Sequence, residues 1–160
     1  MENNQIKIEG NQVIIKSSKS PLAIRITLIV ILLICILIPI VATISIMSER
    51  KGLHIGIFIA FLFFWGIGFY MLRLILWNTF GREIITLEKD TLTYEADFRY
   101  FRDGKNLIST KKLEVAAIPI DDEKNLGILL FTSCDQQLAS VLKVPIQRLT
   151  EIATEINKKY

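Results

Sequence analysis

The sequence predicts an α+β membrane protein: a transmembrane helical hairpin joined to a small antiparallel β sandwich or partial barrel, which a C-terminal amphipathic helix completes. Three observations carry this reading. Residues 21–78 hold only five charged side chains (Arg25, Glu49, Arg50, Lys51 and Arg73), whereas the other 102 residues hold 30. From residue 82 onward apolar side chains alternate with polar ones, the mark of strands with one buried face. From residue 145 the apolar period becomes that of an amphipathic helix. With 51% hydrophobic residues and a mean hydropathy of +0.42, the chain lacks the composition of a disordered segment, a disulfide-stapled secreted domain or an ordinary soluble enzyme.

Residues 1–20 read as a short hairpin, in which Ile6 and Ile8, then Val13 and Ile15, flank Gly10-Asn11. A lone hairpin is marginal in water, so this one is expected to join the C-terminal sheet on the same side of the membrane. Residues 21–78 supply the transmembrane hairpin, with spans at about 24–47 and 53–77. Residues 26–47 carry no charge, and at a rise of ~1.5 Å per residue they reach about 33 Å, enough for a hydrocarbon core of roughly 30 Å. Residues 55–72 add 18 more uncharged positions. Arg73, flanked by Tyr70 and Trp77, reads as a snorkelling residue in an aromatic belt near the exit of the second span. The first apolar run is longer than the hydrophobic region of a signal peptide, and a second span follows at once, which argues against cleavage.

Lys7, Lys16, Lys19 and Arg25 precede the spans, and Arg73, Arg82 and Lys89 follow or end them, against Arg50 and Lys51 in the connection. Seven basic residues against two favour a multi-pass protein of the cell inner (cytoplasmic) membrane with both termini cytoplasmic. Gly52, Gly56 and Ala60 form one small-residue stripe of the kind that lets helices approach closely in lipid. Either the first span of the same hairpin or a helix of another chain fits that stripe. Pro39 is expected to kink the first span. No Asp, Glu or Lys lies at depth, and two helices enclose no pore, so transport by this chain alone is not expected.

Residues 79–160 form the polar domain. Ile85 and Leu87, then Leu92, Tyr94, Ala96 and Phe98, alternate as a hairpin around Lys89-Asp90. Asp103-Gly104 is a turn signal, which places a third strand near residues 106–112. A strand over residues 113–118 is expected to end at Pro119, with residues 126–132 and 138–144 as a further hairpin turning over residues 133–137. Pro145 opens a helix over residues 145–159, in which Ile146, Leu149, Ile152, Ala153 and Ile156 lie on one stripe.

Two tandem spans, then Gly81-Arg82-Glu83-Ile84-Ile85-Thr86-Leu87 leading into paired strands, then an amphipathic helix after Pro145: this layout resembles bacterial membrane proteins with a C-terminal pleckstrin-homology-like domain. The resemblance lies in pattern across nearly the whole chain rather than in a signature of fixed residues. It implies a bent sandwich or partial barrel whose C-terminal helix plugs one end, and a binding or assembly module. It transfers no catalytic residue.

The residues themselves offer little chemistry. The single histidine, His54, starts the second span, far from any nucleophile of the polar domain, and reads as an interfacial residue. Cys35 and Cys134 fall in a span and a predicted turn and are not expected to pair. The run Asp121-Asp122-Glu123 lacks the ligand spacing of a calcium loop, and no clustered Cys and His make a zinc site. No glycine-rich phosphate loop is present; Gly66 and Gly68 lie within the span. The expectation is therefore no catalytic residue, no metal, no cofactor and no enzymatic activity. Residues 79–160 hold 12 Lys and Arg against 13 Asp and Glu, which also argues against nucleic-acid binding.

What remains is contact. Arg99, Arg102, Lys105, Lys111 and Lys112 gather around one predicted hairpin, with Tyr100 beside them. Two readings stay open for this group: a solvated edge that discourages strand pairing, or a contact for anionic lipid or an acidic partner. The functional expectation is a membrane-anchored cytoplasmic binding or scaffold module, an accessory or assembly subunit of a membrane complex. Its partners would be the lipid bilayer and a membrane protein or a second copy. The alternative is an anionic-lipid-sensing module, with a membrane-bound enzyme behind both.

Overall fold

The computed structural model describes residues 5–18, 20–49, 55–121, 123, 125–134 and 136–159. It contains two units, residues 19–79 and the combination of 1–18 with 80–160.

The helical unit consists of α1 (Leu22–Ser48) and α2 (Ile55–Phe80). Both are long and apolar enough to cross a membrane. Their side chains are correspondingly open, with Ile55 78% and Leu62 80% exposed, a surface that lipid tolerates and water does not. The helices run antiparallel. Ser20 Oγ donates to Asn78 Oδ1 at 3.0 Å, and further along a Cβ on Gly68 would lie 3.6 Å from Cys35 Cβ and 3.6 Å from Leu32 Cδ1. α1 continues past Pro39, whose carbonyl accepts the Thr43 hydroxyl at 2.7 Å.

The second unit holds two antiparallel sheets and a helix. Sheet A is a five-strand meander in the order β1 (Ile6–Glu9), β2 (Gln12–Lys16), β3 (Arg82–Leu87), β4 (Thr91–Asp97) and β5 (Arg102–Ser109). The strands before and after the helical pair are therefore direct neighbours, with Ile14 opposite Ile84. Sheet B comprises β6 (Leu113–Asp121), β7 (Leu126–Ser133) and β8 (Gln136–Ala139), and the short β9 (Val144–Pro145) also pairs with β7. α3 (Ile146–Lys159) packs on β6 and β7.

Period two dictates which residues of sheet A face inward. Val13 and Ile15, Ile85 and Leu87, and Leu92 and Tyr94 meet Val115, Leu129, Phe131 and Leu138 of sheet B in one core. The α3 stripe Leu149, Ile152, Ala153 and Ile156 completes it. β6 is an edge strand, and Asn157 of α3 covers it where a further strand would otherwise pair. The Val115 N–H donates to Asn157 Oδ1 at 2.9 Å, and Asn157 Nδ2 donates to the Val115 carbonyl at 2.8 Å. Opposite the other end of β6, a side chain on Gly127 would bring its Cβ to 2.5 Å from the Ile118 carbonyl oxygen, so the close backbone approach admits glycine alone.

Three local expectations need correction. Asp103-Gly104 is not the turn but lies within β5, where Gly104 takes φ +66° opposite a register shift between Tyr94 and Ala96. That is a β-bulge, the other place where a glycine of positive φ serves a hairpin. The chain instead reverses at Phe98–Phe101, closed by the Phe98 N–H to the Phe101 carbonyl at 3.0 Å. Pro119 does not end β6: an edge strand tolerates a missing N–H, and the strand runs on through a second register shift to Asp121. The expected strand over residues 138–144 splits into β8 and β9, because the backbone between them turns its N–H groups elsewhere.

Candidate functional site

Those N–H groups turn to Glu83. On β3 this residue shares the inward parity of Ile85 and Leu87, and it is fully buried. Its Oε1 accepts the Val141 N–H at 2.7 Å and the Leu142 N–H at 3.0 Å. Tyr94 donates its hydroxyl to the same oxygen at 3.2 Å. One carboxyl of sheet A thus holds the segment that follows β8 in sheet B. Among the described residues Oε2 has no hydrogen-bond partner. Burial pushes the Glu83 carboxyl above its ordinary value, with the three donors opposing, and burial beside Glu83 raises the Tyr94 hydroxyl as well.

Tyr94 and Val141 also line a cleft of about 450 Å³ between β5 and β8, the two strands at which the sheets separate. Asn106, Ile108, Gln136, Gln137 and Leu138 are among the residues that line it. Among the described residues no acidic or basic side chain lines it. Amides that donate and accept equally suit an uncharged, hydrogen-bonding occupant such as extended peptide backbone. β5 is an edge strand of sheet A, and residues 102–107 are exposed.

The basic residues singled out from sequence do not form one cluster. Arg99 and Tyr100 lie in the β4–β5 turn and Arg102 begins β5, whereas Lys111 and Lys112 lie in the β5–β6 connection at the far end of the eight-residue strand. At ~3.3 Å per residue those ends are about 23 Å apart. There Thr110 donates its N–H to the Asp90 carbonyl at 3.1 Å and its hydroxyl to the Lys89 carbonyl at 2.8 Å, which sets the pair beside the β3–β4 turn. Lys105 sits between, 3.9 Å from Glu95.

The β4–β5 turn is tightly built. Asp97, 3% exposed, accepts the Arg99 N–H on Oδ1 at 2.7 Å and takes both Nε and Nη2 of Arg82 on Oδ2 at 2.8 Å. Arg99 consequently adopts φ 79°, unusual for a residue with a side chain. Phe98 and Phe101 stack at 4.7 Å, leaving Tyr100 73% exposed. The Arg99 guanidinium lies 4.6 Å from the centre of the Phe80 ring and 5.9 Å from that of Tyr100.

In the helical unit, Gly56 and Ala60 line a groove with Pro39, Ala42 and Thr43, and a Cβ on Gly56 would touch nothing. A Cβ on Gly68 would instead meet Cys35 and Leu32 of α1. Gly52 and His54 lie outside the described residues, as does Asp122 of the acidic run. Cys35 is buried and Cys134 exposed, both unpaired. Among the described residues no group of three or more His, Cys, Asp or Glu could hold a metal ion.

No protein-family model matches the chain, and no curated protein or solved structure does either.

Proposed function

We propose that this chain is an integral protein of the cytoplasmic membrane that presents its two-sheet unit in the cytoplasm as a binding or scaffold module, acting as an accessory or assembly subunit of a membrane complex. The observation that carries the proposal is the open edge of β5 facing the uncharged, amide-lined cleft against β8. A sheet edge binds by main-chain hydrogen bonds to an added strand, and the cleft offers amides for the flanking side chains. Two apolar helices would hold that edge at the membrane surface, which raises its effective concentration for membrane-bound partners. The two antiparallel sheets and the helix on sheet B support the pleckstrin-homology-like reading, in which binding rather than catalysis is the role.

The test is purification of the tagged full-length protein at native level in a gentle detergent, with mass spectrometry of what accompanies it. A stoichiometric protein partner, lost on Asn106→Arg in the cleft wall, is the expected result. Recovery of the chain alone overturns the accessory-subunit role.

A further inference from the structure

We infer that the end of sheet A at which the chain passes to and from the helical pair is a contact surface for anionic phospholipid headgroups, with Arg99 and Arg102 as the cationic contacts and Tyr100 as the interfacial aromatic. The inference rests on the reading that α1 and α2 span a membrane.

Covalent connection fixes which end of the sheet this is. β2 ends at Lys16 and β3 begins at Arg82, and the two crossings are tied by the Ser17 N–H to the Gly81 carbonyl at 2.9 Å. α1 starts at Leu22 and α2 ends at Phe80, so only a few residues separate this end from the helix termini. If the helices span, it lies at headgroup depth.

Its charge suits that place. Lys16, Arg82, Arg99 and Arg102 stand at this end against Asp97, Asp103 and Glu95. Asp97 is buried and its oxygens are taken by Arg82 and the turn backbone, so it presents little negative charge outward. Arg99 makes no ion pair among the described residues, its guanidinium lying over Phe80 and Tyr100 instead. Arg102, 59% exposed, shares Glu95 with Lys105 at 3.2 Å and 3.9 Å, an exposed pairing that holds it weakly. A guanidinium backed by aromatic rings keeps its outward N–H groups for phosphate oxygens, to which its fork is suited.

Tyr100 adds the second signature. Tyrosine collects at membrane interfaces because its ring is apolar and its hydroxyl wet. Here the Asp97 hydrogen bonds and the Phe98–Phe101 stack impose its exposure. The opposite end, with Lys111 and Lys112, is equally basic but lacks both the aromatic residue and the covalent link to the helices.

The test uses the full-length protein with Cys35→Ala and Cys134→Asn, carrying one environment-sensitive fluorophore at Tyr100→Cys, Lys111→Cys or Phe63→Cys. Each form is reconstituted into phosphatidylcholine vesicles with or without phosphatidylglycerol, and quenching by spin-labelled lipid is read, with the label near the headgroup for positions 100 and 111 and deep in the acyl chain for position 63. The expected result is quenching at position 100 that strengthens with phosphatidylglycerol, and none at position 111. Arg99→Gln and Arg102→Gln should each lower the ratio of lipid-bound to free probe about fivefold, the contribution of one basic residue at an anionic surface. Quenching at position 63 without quenching at 100 overturns the headgroup contact and leaves the spans standing. Quenching at 100 indifferent to phosphatidylglycerol and to both arginines overturns the cationic contact. No quenching at 63 removes the membrane reading, and the inference with it.

Discussion

Glu83 Oε1 accepts the Val141 N–H at 2.7 Å, and this bond fastens β3 of sheet A to the segment after β8 in sheet B. The Leu142 N–H and the Tyr94 hydroxyl bind the same oxygen, so Glu83 is a buried polar link in a largely apolar core. Glu83→Ala leaves two backbone donors of that segment without their acceptor, which should cost roughly 2–3 kcal/mol. Glu83→Gln keeps an acceptor oxygen at the same place and should cost far less. Thermal melting of the full-length protein in detergent, followed by the β signal in circular dichroism, distinguishes the two.

The same carboxyl predicts a pH dependence. Burial raises Glu83 above its ordinary value of 4.5, so the folded chain holds this proton more tightly than the unfolded chain does. Its contribution to stability is complete below the unfolded value and is lost as pH rises through the raised folded value. The melting midpoint should therefore decline across that window on going from acid toward neutral pH. In Glu83→Gln this part of the slope should vanish, and an unchanged slope would show that other groups produce it.

Asn157 satisfies both backbone groups of Val115 on the outer edge of β6. Asn157→Leu should keep the helix packed but release the pair, at a cost of about 1–3 kcal/mol. Amide exchange at Val115 should accelerate selectively, while exchange at Phe131, which lies opposite it in β7, should change little.

Within the helical unit the two glycine sites should behave oppositely. Gly68 stands against Cys35 and Leu32, whereas Gly56 faces open space. Gly68→Leu should force the helices apart and destabilise the protein by about 1–3 kcal/mol. Gly56→Leu should be tolerated in the isolated protein. Melting in detergent checks both, and equal sensitivity would contradict the helix contact described here.

The elements that were legible from sequence are those whose signal is a repeated period. The uncharged runs gave the two long helices, the alternation through Ile85, Leu87, Leu92 and Tyr94 gave antiparallel strands, and the stripe from Leu149 to Ile156 gave α3. Single residues whose role depends on distant partners were harder to read. Asp103-Gly104 looks the same as a turn or a bulge, since both need a positive φ. The true turn has Arg99 at that φ, held by Asp97 two residues earlier, which as a residue prone to bond nearby backbone was the available signal. Glu83 was visible as a carboxylate on an inward parity, but nothing local reveals that its donors lie 58 residues away at Val141. The basic residues near one predicted hairpin were neighbours only in sequence, because an extended strand separates its own two ends.

The most direct measurement is two-sided labelling of the full-length protein in intact cells with a membrane-impermeant maleimide. Native Cys134, exposed in the β7–β8 turn, reports on the two-sheet unit, and Ser48→Cys, at the exposed end of α1, reports on the helix connection, both with Cys35→Ala. The account predicts modification at position 48 in intact cells and at Cys134 only after lysis. Modification of Cys134 in intact cells, with position 48 protected, would contradict a helical hairpin that presents the two-sheet unit to the cytoplasm.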